Sequence, residues 1–151
     1  LLLSDIKSAS FRLPVDAMWS TVMVFLIETV VALGDEEAAA VLRKNFSALA
    51  GTNVVMGSGL FAFGRADRYL GMLSFVMGDL DAAEESLGAA LEADAAGGSA
   101  IWSNESRLWL SRVRRAQGHA AEADAMAAAV VREAEAAGLP RLARLARTEG
   151  G

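Results

Sequence analysis

Three glycines, Gly34, Gly78 and Gly118, stand 44 and 40 residues apart, and the chain repeats around them. Five residues after each comes an alanine: Ala39, Ala83 and Ala123. Eight before comes a leucine (Leu26, Leu70, Leu110), and nine before an aromatic (Phe25, Tyr69, Trp109). Three columns agreeing in three copies restrict the fold to repeating units, each burying an apolar face against the next. Between the glycines the chain is rich in Ala, Leu, Glu and Arg, the best helix formers, and its prolines are confined to Pro14 and Pro140. Each unit therefore reads as helix, tight turn, helix. The first helices are predicted over 15–33, 60–77 and 100–117, the second over 35–49, 79–96 and 119–137, giving helix pairs 15–49, 60–96 and 100–137. The glycines end the first helix of each pair in a left-handed conformation. Asp35 and Asp79 then start the next helix, where a carboxylate is favourable. Pro140 opens a capping helix over 140–147, RLARLAR. No alternating strand pattern with turn dipeptides is visible, so the expected class is all-α.

Composition agrees. At 151 residues and 54% hydrophobic, the chain suits a single domain with a sizeable core. The absence of Cys rules out disulfides and cysteine metal sites, and fits a cytoplasmic protein. A net charge of −5 argues against direct nucleic-acid binding, which calls for an excess of Lys and Arg. The longest apolar stretch, VMVFLIETVVAL, is interrupted by Glu28 and too short to span a bilayer. Leu1 to Leu3 lack the basic lead-in and cleavage site of a signal peptide. The chain starts without Met, inside an apolar phrase, so 1–14 is expected to be the incomplete N-terminal segment of a longer protein.

GDLDAAEESLGAAL at 78–91 resembles the second half of a tetratricopeptide repeat, with its glycine–aspartate turn and its alanine five residues on. Leu70 and Gly71 match the leucine–glycine pair of that family's first helix, where a small residue lets two helices touch. Ile27 and Ser111 stand at the equivalent position in the other units, and the spacings exceed the family's usual length of about 34 residues. The resemblance covers 15–137 and implies a right-handed superhelix of three helix pairs plus the C-terminal cap. NVVMGSGLFAFGRADRYLGML through GDLDAAEESLGAAL, with the closing AAGLPRLARLAR, is similar to the helical-repeat region of large bacterial regulators. In those proteins an NTPase module precedes such repeats, which are joined to a LuxR-type DNA-binding domain or an adenylate cyclase domain. The resemblance implies a signalling role in which the repeats sense a partner or ligand.

The family's concave positions, counted back from each glycine, fall on Thr21, Val24, Glu28 and Val31, then on Arg65, Arg68, Met72 and Phe75, then on Glu105, Leu108, Arg112 and Arg115. Arg65 and Arg68 share one helix face, as do Arg112 and Arg115. Four guanidiniums on adjacent helices would clamp a carboxylate or phosphate, selecting an acidic peptide or an anionic small molecule. The other reading is that they are solvated side chains, some paired with Asp67 or Glu105.

Other residues offer less. MGSG at 56–59 precedes a predicted helix, as an anion loop would, but lacks the lysine that reaches phosphates and reads as a connector. His119 has no second ligand to make a metal set. Asp81, Glu84 and Glu85 suit a solvent face, and Ser103 and Ser106 lack a nearby base. Trp102 and Trp109, two turns apart, read as core, with Trp109 buried within the basic stretch RLWLSRVRR. The chain is expected to be no enzyme and to need no cofactor or metal. It would instead bind a protein or peptide partner, or another domain of the parent chain, in its groove; a nucleotide or anionic metabolite is the alternative. The helix containing VMVFLI, apolar nearly all round, needs a neighbour, so self-association into a homodimer through exposed helix faces is a further expectation.

Overall fold

A computed structural model of the chain describes residues 18–56, 59 and 61–149. The 1–14 segment and the predicted helix start at 15–17 lie outside the described residues. The elements run α1 (Trp19–Leu33), α2 (Glu36–Phe46), a 3-10 turn (Ser47–Leu49), β1 (Asn53–Met56), β2 (Phe61–Arg65), α3 (Ala66–Val76), α4 (Leu80–Ala96), α5 (Ala100–Ala116), α6 (Ala120–Ala136) and α7 (Pro140–Glu149). The described residues are mostly helical. None of these helices is long and apolar enough to cross a membrane.

The turns are interchangeable. Gly34, Gly78 and Gly118 have φ of 64°, 74° and 87°, as the repeat predicts, and Gly98 and Gly138 join them at 72° and 69°. In all five, the residue after the glycine donates its N–H to the carbonyl five positions back, from Asp35 to Val30, Asp79 to Ser74, Ser99 to Asp94, His119 to Arg114 and Leu139 to Ala134. This bond satisfies a carbonyl that the helix end would otherwise leave open. Asp35 and Asp79 cap the following helices by accepting from the N–H groups of Ala38 and Ala82, and Ser99 does the same for Trp102. From Gly78 onward the glycines recur every 20 residues, one helix and one turn at a time.

Each helix packs mainly on its neighbours in sequence, and α1 on α3, α3 on α5 and α5 on α7 also touch. The odd-numbered helices thus form one layer and the even-numbered helices a second. Ala39, Ala83 and Ala123 are completely buried between them. Gly71 marks the closest approach. A Cβ there would lie 2.5 Å from Leu87 Cγ and 3.1 Å from the Ala83 carbonyl oxygen.

Two expectations are corrected. The helix predicted from 60 begins at Ala66, and a strand pair precedes it, with Val55 opposite Ala62, Met56 opposite Phe61 and a bulge between Asn53 and Val55. Val54 anchors this hairpin in the core, and Gly59 and Gly64 hold φ of 86° and 77°, which no helix admits. Of MGSG, Met56 closes β1, and the next element is β2 rather than a helix; 57 and 58 lie outside the described residues. The aromatic column is also uneven. Tyr69 is buried, Trp109 is half-buried, and Phe25 is 56% exposed, edge-on to Phe63 of the hairpin. Met18, Val22, Phe25 and Leu33 leave an apolar strip exposed along α1.

Candidate functional site

A groove of about 320 Å³ runs along the layer of odd-numbered helices. Glu28 enters it from α1, and Arg68, Tyr69 and Met72 from α3. Glu105, Leu108, Trp109 and Arg112 come from α5, and Arg141, Leu142 and Leu145 from α7. A second hollow of about 260 Å³ shares Glu105, Arg141, Leu142 and Leu145 and continues over Ile101 and Leu139.

Six of the predicted groove residues meet here: Glu28, Arg68, Met72, Glu105, Leu108 and Arg112. Phe75 and Arg115 lie aside, in a shallow depression with Arg112, Ala116 and Glu149. Arg65 sits at the head of α3, 3.5 Å from Asp67, and lines neither hollow. In α1, Thr21 and Val24 are buried in the core, so Glu28 alone of that set faces the groove.

The arginines are held by the protein itself. Arg68 is only 2% exposed. Its Nη2 donates to the Phe63 carbonyl oxygen at 2.5 Å and to the Tyr69 hydroxyl at 2.9 Å, and that hydroxyl donates to the same carbonyl at 3.0 Å. The guanidinium lies 4.7 Å from the Tyr69 ring centre and 4.6 Å from that of Trp102. Gly64 makes this possible, because a Cβ there would fall 2.5 Å from Arg68 Nη1 and 2.8 Å from Trp102 Cγ. Arg112 grips Glu149 at 2.6 and 3.0 Å and stacks on Trp109 at 4.2 Å. Arg115 bonds Asp124 and the Glu149 carbonyl, Arg107 pairs with Glu133 at 2.6 Å, and Arg114 pairs with Glu84 and Glu122. The four-guanidinium clamp is thus not assembled, and the basic stretch RLWLSRVRR is neutralised from within. Arg65 and Arg68 make the pairs with Asp67 and Glu105 that the alternative reading named, and Arg107, Arg112, Arg114 and Arg115 tie α5 to α4, α6 and α7.

Two carboxylates also line the groove, Glu28 exposed to solvent and Glu105 beside Arg68. Glu105 pairs with Arg68 Nε at 3.7 Å, and its side chain is 34% exposed. Burial pushes the Glu105 carboxyl above its ordinary range; Arg68 and Arg141 pull it back, and the charge of Glu28 pushes it up further. Glu28 has no hydrogen bond or ion pair among the described residues. The Tyr69 hydroxyl is raised to about 12, chiefly by burial, with Arg68 opposing and Glu28 adding to the rise.

The remaining candidates resolve simply. His119 is exposed at the start of α6, 3.7 Å from Glu122, and no group of His, Asp or Glu among the described residues could hold a metal ion. Asp81 and Glu85 face solvent, while Glu84 turns toward α5 and pairs with Arg114. Ser103 bonds the Ser99 carbonyl and Ser106 is buried, neither beside a base. Trp102 and Trp109 are half-buried and each carries an arginine on its face; Trp109 also packs against the core clusters, as expected, and lies edge-on to Phe75. The groove residues missing from the sequence reading are Tyr69, Trp109, Arg141, Leu142 and Leu145. The 20-residue glycine spacing carries a signal for the last three. It makes Gly138 equivalent to Gly98, hence α7 equivalent to α5, with Leu145 at the place of Glu105.

Compared with protein-family models, with curated proteins and with solved structures, the chain matches none.

Proposed function

We propose that this is a non-catalytic binding region of tetratricopeptide type, in which the layer of odd-numbered helices receives a peptide segment or the surface of a partner domain. The observation carrying this reading is the groove itself. One hollow gathers side chains from all four odd-numbered helices, with an apolar floor of Met72, Leu108, Leu142 and Leu145 under a charged rim. That combination buries area while fixing orientation, and helical arrays use it for extended partners. A place in a bacterial regulator of the LuxR-type or cyclase-linked kind, with a partner occupying the groove as the signal, accords with the sequence resemblance. The anionic-ligand alternative loses its main support, since Arg65, Arg68, Arg112 and Arg115 each have a partner within the chain.

Peptides selected from a displayed random library against the chain test the proposal. They should lose most of their binding to Leu145→Asp, which charges an already 41% exposed position on the groove floor. They should keep it with Leu33→Asp, at a 63% exposed position on α1 that does not line the groove. Peptides that bind both variants equally place the interface elsewhere.

A further inference from the structure

We propose that the exposed apolar strip of α1 is a docking face for residues 1–13 of the same chain, seated there as α4 is seated on α5 and α6 on α7. The face lies apart from the groove, and its occupant is independent of what the groove binds.

Counted back from the turn glycine, the strip holds positions 12, 9, 5 and 1: Val22, Phe25, Thr29 and Leu33 before Gly34. All four are exposed, Phe25 at 56% and Leu33 at 63%. The same positions before Gly78 are Ala66, Tyr69, Leu73 and Met77, and before Gly118 they are Ser106, Trp109, Val113 and Gln117. None of these eight is exposed. What covers them comes earlier in the chain. Tyr69 meets Phe46 of α2 edge-on at 6.0 Å, Trp109 meets Phe75 of α3 at 5.9 Å, and Gln117 donates to Glu84 of α4 at 2.9 Å. Leu87 of α4 and Val113 of α5, both fully buried, share one core cluster. The face that α1 leaves open is thus the one on which α3 and α5 receive the elements preceding them. Each unit of a stacked array buries such a face against its neighbour.

The residues directly before α1 carry the matching stripe. In α4 the buried residues are Ala83, Leu87, Ala90 and Asp94, which stand 17, 13, 10 and 6 positions before the start of α5 at Ala100. In α6 they are Ala123, Ala127, Val130 and Ala134, at the same four distances before Pro140. Counted in the same way from Trp19, these positions hold Leu2, Ile6, Ala9 and Leu13, all apolar. Of the residues between them only Leu3 and Phe11 are apolar as well. Steps of 4, 3 and 4 keep such residues on one side of a helix, and Pro14 comes where that helix has to stop. The stripe from Leu2 to Leu13 and the strip from Val22 to Leu33 span equal numbers of residues, so as helices they match in length. An apolar strip alone fits any apolar partner. The four filled positions and their place directly before α1 select this segment over a second copy or another protein.

The sequence has no cysteine, so one introduced pair reads the contact in the full chain. Ile6 corresponds to Leu87 and Thr29 to Val113, the two residues that share a cluster between α4 and α5. Lys7 corresponds to Gly88, where a Cβ would meet nothing within 4 Å, and supplies the control. Under mild oxidation, Ile6→Cys with Thr29→Cys should close a disulfide within one molecule about ten-fold faster than Lys7→Cys with Thr29→Cys, since only the first pair comes within disulfide reach. Equal rates would mean a segment tethered near α1 but not seated on it, and would overturn the proposal. Covalent dimers on a non-reducing gel would overturn it in favour of a second copy on the strip, and no disulfide in either variant would overturn it as well. A cysteine-free measurement guards against damage from the pair itself. Ile6→Asp should raise the fluorescence of an added apolar dye by uncovering the strip, while Ser8→Asp, off the stripe, should leave it unchanged. The same signal from both variants and the parent chain would count against the docking.

Discussion

Two glycines inside helices show how far a single residue type can be interpreted. Gly71 in α3 and Gly88 in α4 both cost about 1 kcal/mol of helix propensity relative to alanine, yet only one has a reason to be there. A methyl at position 71 would press on Leu87 Cγ and the Ala83 carbonyl, which belongs to backbone and cannot swing away. A methyl at position 88 would meet nothing within 4 Å. Gly71→Ala is therefore expected to lower stability by about 1 kcal/mol or more, the overpacking outweighing the propensity gain, while Gly88→Ala raises it by up to about 1 kcal/mol. Urea denaturation of the two variants measures both signs. The role of Gly71 was legible through the resemblance of Leu70 and Gly71 to a leucine–glycine pair at which two helices touch. The sequence could not foretell the fate of the arginines. Whether Arg68 lies open in a groove or is shut between Tyr69 and Trp102 depends on Gly64 and Phe63, which reach it through a hairpin with no counterpart elsewhere among the described residues.

That hairpin is the element that periodicity missed. NVVM and FAFGR are short apolar runs without strict alternation, and such runs read equally well as the flank of a buried helix. Its length explains the uneven spacing of the glycines. The hairpin takes over the last turns of α2 and the first turns of α3, each 11 residues against 17 in α4, α5 and α6, and the exchange leaves the first interval four residues longer. It also carries the wall of the site, since β2 supplies the Phe63 carbonyl that holds both Arg68 and Tyr69. Gly64→Ala tests the connection. The substitution strains a φ of 77° and drives a methyl into Arg68 Nη1 and Trp102 Cγ, so a loss of about 2 kcal/mol or more is expected. Removal of Arg68 from Trp102 should change the tryptophan fluorescence of the folded state, which distinguishes this variant from one that is merely less stable.

At the scale of the molecule, the layered array predicts how damage spreads. The turns at Gly34, Gly78 and Gly118 and the burial of Ala39, Ala83 and Ala123 were readable because each follows from one local requirement repeated along the chain. The part played by α7 was less so: read as a cap, it also supplies Leu142 and Leu145 to the groove and packs on α6 and α5. In an array whose helices touch chiefly their neighbours, stability is a sum of local terms, and the ends open without the middle. Leu142 is buried with Leu108, Val130 and Ala134, so Leu142→Ala should cost about 2–4 kcal/mol locally. Amide hydrogen exchange should then quicken through α7 and the second half of α6, while Met23, Ile27, Leu42 and Tyr69, which belong to a separate cluster at the other end, keep their protection. A closed bundle with one shared core would instead lose protection everywhere by the same amount, because no helix could leave without exposing the rest. Uniform acceleration across α1 to α7 would therefore remove both the array and the groove that depends on it.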